Sequence, residues 1–562
     1  MRKRAKFNLS NFHNCTMKMG QLYPTHLQEV LPGDTIQMNS SVFMRFAPMV
    51  APVMHPTHMF MHYFYVPSRV LANFLRTGVP FNKNVTSIDF DFERFITGGP
   101  TGEDTQTIPT IRVEQGWSGL PDAFGIPTQN IQQGMGLNVN LLPILAYYMI
   151  YDEYYRDQDL QEKYGIANAA VGGGKTLPSL VRWLDGSDTA TRVNDLPLLS
   201  PCWSKDYFTT ARPWPQKGPE VTVPVQGVGG ITGTVKLTPT GEPKLTWINN
   251  GDNAPLPSSE TEYDNLLLTD RSGDNNKPPF SLWAVHDAHS AGGSGLGKRE
   301  KLKWADPGLA AAFESTTPGG LGHIDINDLR EAFAIQKFEE QQALYGSRYE
   351  DLLRSLGVRP QDARLQLPEY LGGFTSPVQF SEVLQTSAGE NGGVGDLYGH
   401  GIAAARGRRI RRFIPEHGYI MGIMCVRPIP VYSQGVERLW TKSTKYDFWT
   451  KQLEHIGQQE VLNSEVFADG STDDTKTFGY QNRYDEYRRG VNVITGEFRT
   501  NQDFWTLARI FDNRPALNAD FVECNPSDRI FQVGEQNSDQ LYCMVKNNII
   551  AKRLVSKNGN PI

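Results

Sequence analysis

The chain of 562 residues has little cysteine: Cys15, Cys202, Cys425, Cys524 and Cys543 are odd in number, widely spaced, and contain no CxxC pair. That argues against a disulfide framework and against a zinc site, both of which need grouped thiols. Long apolar runs are missing as well. The longest, LLPILAYYMIY at 141–151, falls short of the roughly 20 residues a bilayer requires and contains a proline. No apolar stretch follows the charged opening MRKRAK, so it does not read as a secretory signal, and folding in a reducing cytoplasm is expected. No internal repeat is found. Glycine (53) and proline (36) are plentiful against usual shares of about 7% and 5%, and aromatic residues reach 11%. This composition favours strands, loops and stacked rings over a helical bundle. Length alone admits about two to four domains.

The chain is acidic, with a net charge of −6, yet its positive charge is local. RGRRIRRF at 406–413 carries Arg406, Arg408, Arg409, Arg411 and Arg412, and the N-terminus adds Arg2, Lys3, Arg4 and Lys6. As a regular strand the first segment would send Arg406, Arg408 and Arg412 one way and Arg409 and Arg411 the other, so neither face could be buried. As a helix, Arg408 and Arg412 would repel at i,i+4. An exposed extended segment is expected. Guanidinium groups suit phosphates and stack on bases, and Phe413 is adjacent. Nucleic-acid contact, a salt-bridged seam between subunits and plain solvation all fit the pattern. The N-terminal cations read as a mobile basic arm.

Periodicity places strands towards both ends. In TIQMNSSVFMRF (35–46), Ile36, Met38, Val42, Met44 and Phe46 share one face, with Thr35, Gln37, Asn39, Ser41 and Arg45 on the other and Phe43 as the exception. HMFMHYFYV (58–66) and YIMGIMCVRP (419–428) are apolar on both faces, as in strands covered on both sides. QLYCMVKNNIIAKRLV (540–555) offers one or two more. The middle differs. LLPILAYYMIYDEYYRDQDLQ reads as an amphipathic helix with Leu142, Leu145 and Met149 on one stripe and Asn140 as its cap. DINDLREAFAIQKFEEQQALYG is a helix stopped by Gly346, and SRYEDLLRSLG another, ended by Gly357 and Pro360. Between 221 and 322 the composition shifts to Gly, Thr, Pro and Asn with recurring Val, Ile, Leu and Trp, as in an inserted short-stranded β subdomain. The sum is mainly β: a sandwich split in sequence by long insertions.

Enzymatic signatures fail on context. AAVGGGKT (169–176) fits a loose phosphate-loop pattern, but a tyrosine-rich helix precedes it and Pro178 follows, so a glycine linker is the better reading. His55, His58 and His62 have no fixed carboxylate partner, and Pro56 blocks a helix; core or interface histidines are expected, not a metal site. Asp152-Glu153 and Asp473-Asp474 point apart on either element and read as solvated surface. No Ser/His/Asp or Cys/His spacing is found. The expectation is a protein with neither catalytic residues nor cofactors.

Eleven segments, in order along the chain, resemble the major capsid protein of the Microviridae, small single-stranded DNA phages, in their gokushovirus type. They are EVLPGDTIQM (29–38), FYVPSRVL (64–71), IYDEYYRDQDLQ (150–161), KDYFTTARPWPQKGP (205–219), INDLREAFAIQK (326–337), RYEDLLRSLGVRPQDARLQLPEYLGG (348–373), VLQTS (383–387), EHGYIMGIMCVR (416–427), TKYDFW (444–449), TFGYQNRYDEYR (477–488) and ITGEFR (494–499). The resemblance implies an eight-stranded antiparallel viral jelly roll, about sixty copies of which close into a T=1-type icosahedral shell around circular single-stranded DNA. It orders the chain as follows: residues 1–70, basic arm and first strands; 71–220, loop and helix insertions; 221–322, a variable β insertion forming a threefold surface protrusion. Residues 323–410 then form a helical insertion and basic segment, 411–435 central strands, 436–528 a further loop and helix insertion, and 529–562 the last strands and tail. Implied partners are further copies of the chain, the genome, a small basic DNA-packaging protein, pilot and scaffolding proteins during assembly, and a host cell-surface receptor, with no membrane. The location is the virion, assembled in the host bacterial cytoplasm. Trp247, Asn249, Asn250 and Trp283 are candidate receptor contacts in the protrusion. A β-sandwich carbohydrate-binding or cell-surface protein without nucleic acid is the alternative.

Overall fold

The computed structural model describes residues 4–77, 90–97, 106–115, 119–132, 135–161, 196–217, 367–384, 397–455, 457–532 and 538–557, together with the helix Ile326–Tyr345 and isolated strands between 233 and 315. The chain forms two compact units, Met1–Pro219 with Gln336–Ile562, and Glu220–Ile335.

In chain order, the strands that build the first unit's sandwich are β1 (Ala5–Asn8), β2 (Asn11–Met17), β3 (Tyr23–Val30), β4 (Thr35–Phe46), β5 (Thr57–Pro67), β6 (Glu369–Pro377), β7 (Gln379–Leu384), β8 (Leu397–Arg406), β9 (Ile410–Phe413), β10 (Gly418–Pro428) and β11 (Leu541–Arg553). One sheet runs β2–β11–β4–β8–β7, with β1 extending the β2 edge of β11 and β9 extending the β8 side of β4. The other runs β6–β5–β10–β3. Every pairing is antiparallel. Apart from the short pieces β1, β7 and β9, each sheet has four strands, and the chain crosses between sheets in the order of a jelly roll. Residues 68–368 and 429–540 are the long excursions.

The alternation in 35–46 is realised as β4: Ile36, Met38, Val42, Met44 and Phe46 are buried, and Phe43 belongs with the outward set. β11 is one strand of 13 residues with the same alternation. Its buried polar exception, Asn547, accepts from Ser40 Oγ at 2.6 Å and donates to Asn11 Oδ1 at 3.0 Å, so its carboxamide is satisfied. The inward faces of both sheets enclose one core, rich in methionine (Met17, Met38, Met44, Met59, Met61, Met424), whose flexible side chains fill irregular gaps.

A second core lies on the far side of the β6–β5–β10–β3 sheet. There Phe60, Phe64, Tyr419, Met421, Ile423 and Cys425 pack on α1 (Ser68–Thr77) and α2 (Leu142–Tyr154). The two-sided apolar reading of β5 and β10 therefore holds. Asn140, expected as the cap, instead sits one residue before the N-cap Leu141, with its Oδ1 accepting from Leu142 N–H at 2.9 Å. Helix α2 is not amphipathic, however: it is buried continuously from Ile144 to Asp152, because elements of the first excursion cover the side away from the sheet. Asp152, expected on the surface, is buried and paired with Arg156 at 3.3 Å, and Asp474 pairs with Arg514 at 2.6 Å. His55 bonds to Ile429 O at 2.7 Å and His62 Nδ1 to Tyr155 Oη at 2.9 Å, so His55 is a buried core histidine and His62 a half-buried one.

Two of the segments that carry the family resemblance are joined by ions. Asp157 pairs with Lys205 and with Arg212 at 3.4 Å, and Asp159 with Arg212 at 3.1 Å and Lys217 at 2.8 Å. Burial alone would raise the Asp157 carboxyl, but Lys205 and Arg212 outweigh it and the net shift is downward. Nearby, the Arg509 guanidinium is ringed by Phe521, Trp203, Phe511 and Tyr432 at 4.3, 5.0, 5.2 and 5.4 Å, and donates to Phe521 O at 2.7 Å. Replacing it by leucine keeps bulk but loses the charge, and should cost about 2 kcal/mol in chemical denaturation. An unchanged midpoint would show that the rings need only an apolar filler.

In the second unit, Gly233–Pro239 pairs with Leu309–Ser315. Asp252–Pro255, Lys244–Asn249, Arg299–Asp306 and Trp283–Val285 follow one another across a four-stranded sheet. These short strands fall within 221–322, the stretch read from composition as an inserted β subdomain. Helix α3 (Ile326–Tyr345) realises the helix expected around 326–345. The second helix near 348–356 and the glycine loop 169–176 lie outside the described residues.

Candidate nucleic-acid interface

The two sheets differ in what covers them. The β6–β5–β10–β3 sheet is packed on both faces, whereas the β2–β11–β4–β8–β7 sheet is packed on one. Its other face is open, and period 2 decides which residues occupy it. β11 contributes Tyr542, Met544, Lys546, Asn548, Ile550 and Lys552; β4 contributes Gln37, Asn39, Ser41, Phe43 and Arg45. Lys6 and Asn8 come from β1 and Phe12 from β2. No outward position of β1, β2, β4, β8, β9 or β11 is Asp or Glu. At the sheet's margin, Asp539 accepts from Thr16 Oγ1 at 2.5 Å.

The arginine segment joins this face through a change of phase. β8 pairs Arg406 with Ser41, and Gly407 N–H still donates to Ser40 O at 2.8 Å, but β9 resumes with Ile410 opposite Met38. One residue is therefore extra: Arg408 and Arg409 together oppose Asn39, a β-bulge. Glycine suits position 407 because a Cβ there would lie 2.6 Å from the Phe374 ring. The bulge corrects the expectation of two mixed faces. Arg406 (opposite Ser41) and Arg411 (opposite Gln37) fall on the same open face, and Arg412, opposite the buried Ile36, turns away to pair with Glu369 of β6. Arg406, Arg408, Arg409 and Arg411 are exposed and, among the described residues, have no ion pair.

Of the N-terminal cations expected to form a mobile arm, Arg4 and Lys6 are held by the sandwich. Arg2 and Lys3 lie outside the described residues. Arg4 donates to Gly33 O and Thr35 Oγ1, both at 3.0 Å, with its guanidinium 5.9 Å from the centre of the Phe413 ring. Lys6 is held in β1 opposite Lys552. Sequence reasoning missed Arg45, Lys546 and Lys552, although the alternation of β4 and of 540–555 contained the signal. Exposed rings stand among these cations: Phe12 at 72%, Phe413 at 55%, Tyr542 at 49% and Phe43, whose ring centre is 5.4 Å from the Arg45 guanidinium. Cations track a phosphate backbone, and exposed rings offer stacking platforms for unpaired bases.

The receptor candidates are not brought onto one rung. Trp247 is registered with Leu302 and Trp283 with Lys301, one position apart along the strand between them; Asn249 ends its strand opposite Asp252. Asn250 lies outside the described residues. Among the described residues no group of histidine, cysteine and carboxylate side chains could hold a metal ion.

Comparison with known proteins gives a consistent picture. A family model described as "Capsid protein (F protein)" matches residues 1–562. "Capsid protein VP1" of Bdellovibrio phage phiMH2K is 33% identical over 93% of this chain and 88% of that relative. Proteins of the same name from Chlamydia phage 1 and Spiroplasma virus 4 are 28% and 26% identical, over 95% and 92% of this chain and 91% and 87% of theirs.

Proposed function

Because the chain belongs to the capsid protein (F protein) family, a family of structural proteins rather than enzymes, we propose that it builds a T=1-type icosahedral shell around circular single-stranded DNA. In this reading the open face of the β2–β11–β4–β8–β7 sheet meets the genome. The observation that carries it is a sheet face with Lys6, Arg45, Arg406, Arg411, Lys546 and Lys552 directed outward, no carboxylate among its outward strand positions, and exposed rings between the cations. Buried charge would have to be paired, and these cations are left for a partner.

Self-assembly has its own support. Around a groove of about 430 Å³ lined in part by Tyr207, Phe208 and Tyr432, the residues Leu439, Trp440, Tyr487 and Val493 expose 62%, 77%, 55% and 62% of their surface. Clustered exposed apolar side chains of this size mark surfaces that become buried on association, here between copies of the chain. The inserted unit Glu220–Ile335 serves as the host-attachment element. A genome's phosphates, shared among about sixty subunits, still leave tens of charges for each, more than this face can neutralise. A small basic packaging protein or polyamines would supply the rest, and the sheet would fasten DNA to the wall.

The test replaces Arg406, Arg409 and Arg411 by glutamine and spares Arg412, which is committed to Glu369. Loss of three phosphate contacts should weaken single-stranded DNA binding about 50-fold near 0.15 M salt and lower the log–log salt slope by about 2. Particles should form in normal yield with less DNA. An equal drop in shell yield and DNA content would assign the arginines to a seam between subunits.

A further inference from the structure

Within the open face lies a groove of about 400 Å³, on the scale of small-ligand sites. Its walls are unusual in chemistry. Carboxamides from three strands converge there, Asn8 of β1, Asn548 of β11, and Gln37 and Asn39 of β4, with Lys6 at one side and Arg409 at the other. Asn548 and Asn39 are directly paired, and Gln37 and Asn8 both oppose Ile550, which makes part of the floor. The side chains of Gln37, Asn39 and Asn548 are half-buried and make no hydrogen bond to another described residue.

Two interruptions of the sheet create this space. On one side the edge strand breaks between β1 and β2: Ser10 N–H and Oγ turn to Asn8 Oδ1 at 3.1 and 2.6 Å, and Ser10 Oγ accepts from Ile549 N–H at 3.0 Å. On the other side is the arginine bulge, opposite Asn39. The breaks flank the same β11–β4 rung. With strands about 4.8 Å apart, the groove is about three strand spacings wide, enough for a flat ring and its sugar-phosphate flanks.

We propose that this groove takes one unstacked nucleotide of single-stranded DNA. The carboxamides of Gln37, Asn39 and Asn548 meet the base edge, and Lys6 and Arg409 hold the phosphates on either side. A carboxamide presents a donor and an acceptor side by side, the pattern that a base edge complements. A nucleotide is the one unit of the genome that needs both kinds of wall at once. The inference rests on the reading that this face meets the genome, and it adds that a base edge is held there by hydrogen bonds, beyond phosphate contacts and stacking on the exposed rings.

The full-length chain is tested against two labelled oligomers of equal length and charge, one of ordinary deoxynucleotides and one of abasic deoxyribose phosphates. The base-bearing oligomer should bind at least about 10-fold tighter, in line with one good base contact. Replacing Asn39 and Asn548 together by alanine should cut that preference several-fold and leave the salt slope unchanged, and Gln37→Ala should cut it less; a preference untouched by the double change would assign it to the exposed rings and overturn the groove. Both substitutions are on the open face, and particle yield reports whether the fold is kept. Equal binding of the two oligomers by the unaltered chain would overturn the nucleotide groove and leave the phosphate-binding face standing. Failure of both oligomers to respond to the arginine-to-glutamine changes would remove the face itself, and the groove with it.

Discussion

Acidification from pH 6.5 to about 4 should remove on the order of 6 kcal/mol from the folding stability of the first unit. Two histidines account for it, His26 buried and His62 half-buried. His26, 4% exposed on β3, has its pKa pushed down to about 4 by burial and then by His13; its Nε2 has no hydrogen-bond partner among the described residues. His62 on β5 is lowered to about 4 by burial and then by Arg427, while its ring stacks on Phe60 with centroids 4.7 Å apart. Burial likewise lowers His55. In the unfolded chain these rings take up a proton near pH 6.5; in the folded chain they resist until about 4. Stability is therefore complete above 6.5 and falls as pH drops towards 4, by about 3 kcal/mol for each of His26 and His62. Below that both rings are protonated in the folded and unfolded chain alike, and these two groups take no further stability. Domains of ordinary stability hold about 5–15 kcal/mol, so the unit should be close to unfolding at the acid end. Thermal melting across this range checks it, and His26→Phe with His62→Gln should flatten the curve. A midpoint constant from pH 7 to 4.5 would contradict the assignment.

Removing the Arg553 side chain should cost about 3–5 kcal/mol, the usual penalty for leaving a buried charge without its partner. Asp34, in the turn between β3 and β4, is fully buried, and Arg553 Nε at the end of β11 lies 2.9 Å from its Oδ2. Leu31 N–H adds a hydrogen bond to the same oxygen at 3.1 Å. The turn also joins the two ends of the basic face. Gly33 N–H donates to Ile414 O, Ile414 N–H to Asp34 O, both at 2.8 Å, and Gly33 O accepts from Arg4. Arg553→Met should lower the denaturation midpoint accordingly and loosen Arg4 and Phe413 together. Adding Asp34→Asn should recover part of the loss, because no bare carboxylate remains. A cost under about 1 kcal/mol for Arg553→Met would mean that backbone bonds alone hold the turn.

How much was legible depends on the range of the interaction. β4, β5 and β10 could be read from neighbouring residues, because strand alternation and two-sided apolarity are local patterns. Phe43, an exception when β4 is read for its core, becomes ordinary once the open face is known to use rings. Helix α2 shows the opposite case. Its Leu142, Leu145 and Met149 stripe suggested one wet side, yet the chain returns from elsewhere to cover it. The arginines were found as a group, but their direction was misjudged by one residue. Pairing with β4 inserts a bulge, and a single extra residue exchanges the faces of everything beyond it. Lys546 and Lys552 were visible as letters only; their place beside Arg406 and Arg411 follows from β11 lying next to β4.

The sequence by itself determined a mainly β chain, its long insertions and, through segments spread in order along it, its membership among phage capsid proteins. Those properties are carried by residue type and short-range spacing. Only the tertiary structure decided that one sheet is wrapped on both sides and the other left bare, that cations from five strands share the bare side, and that carboxamides meet between two strand breaks. Such facts depend on register and on which element covers which, and residues hundreds of positions apart settle them together.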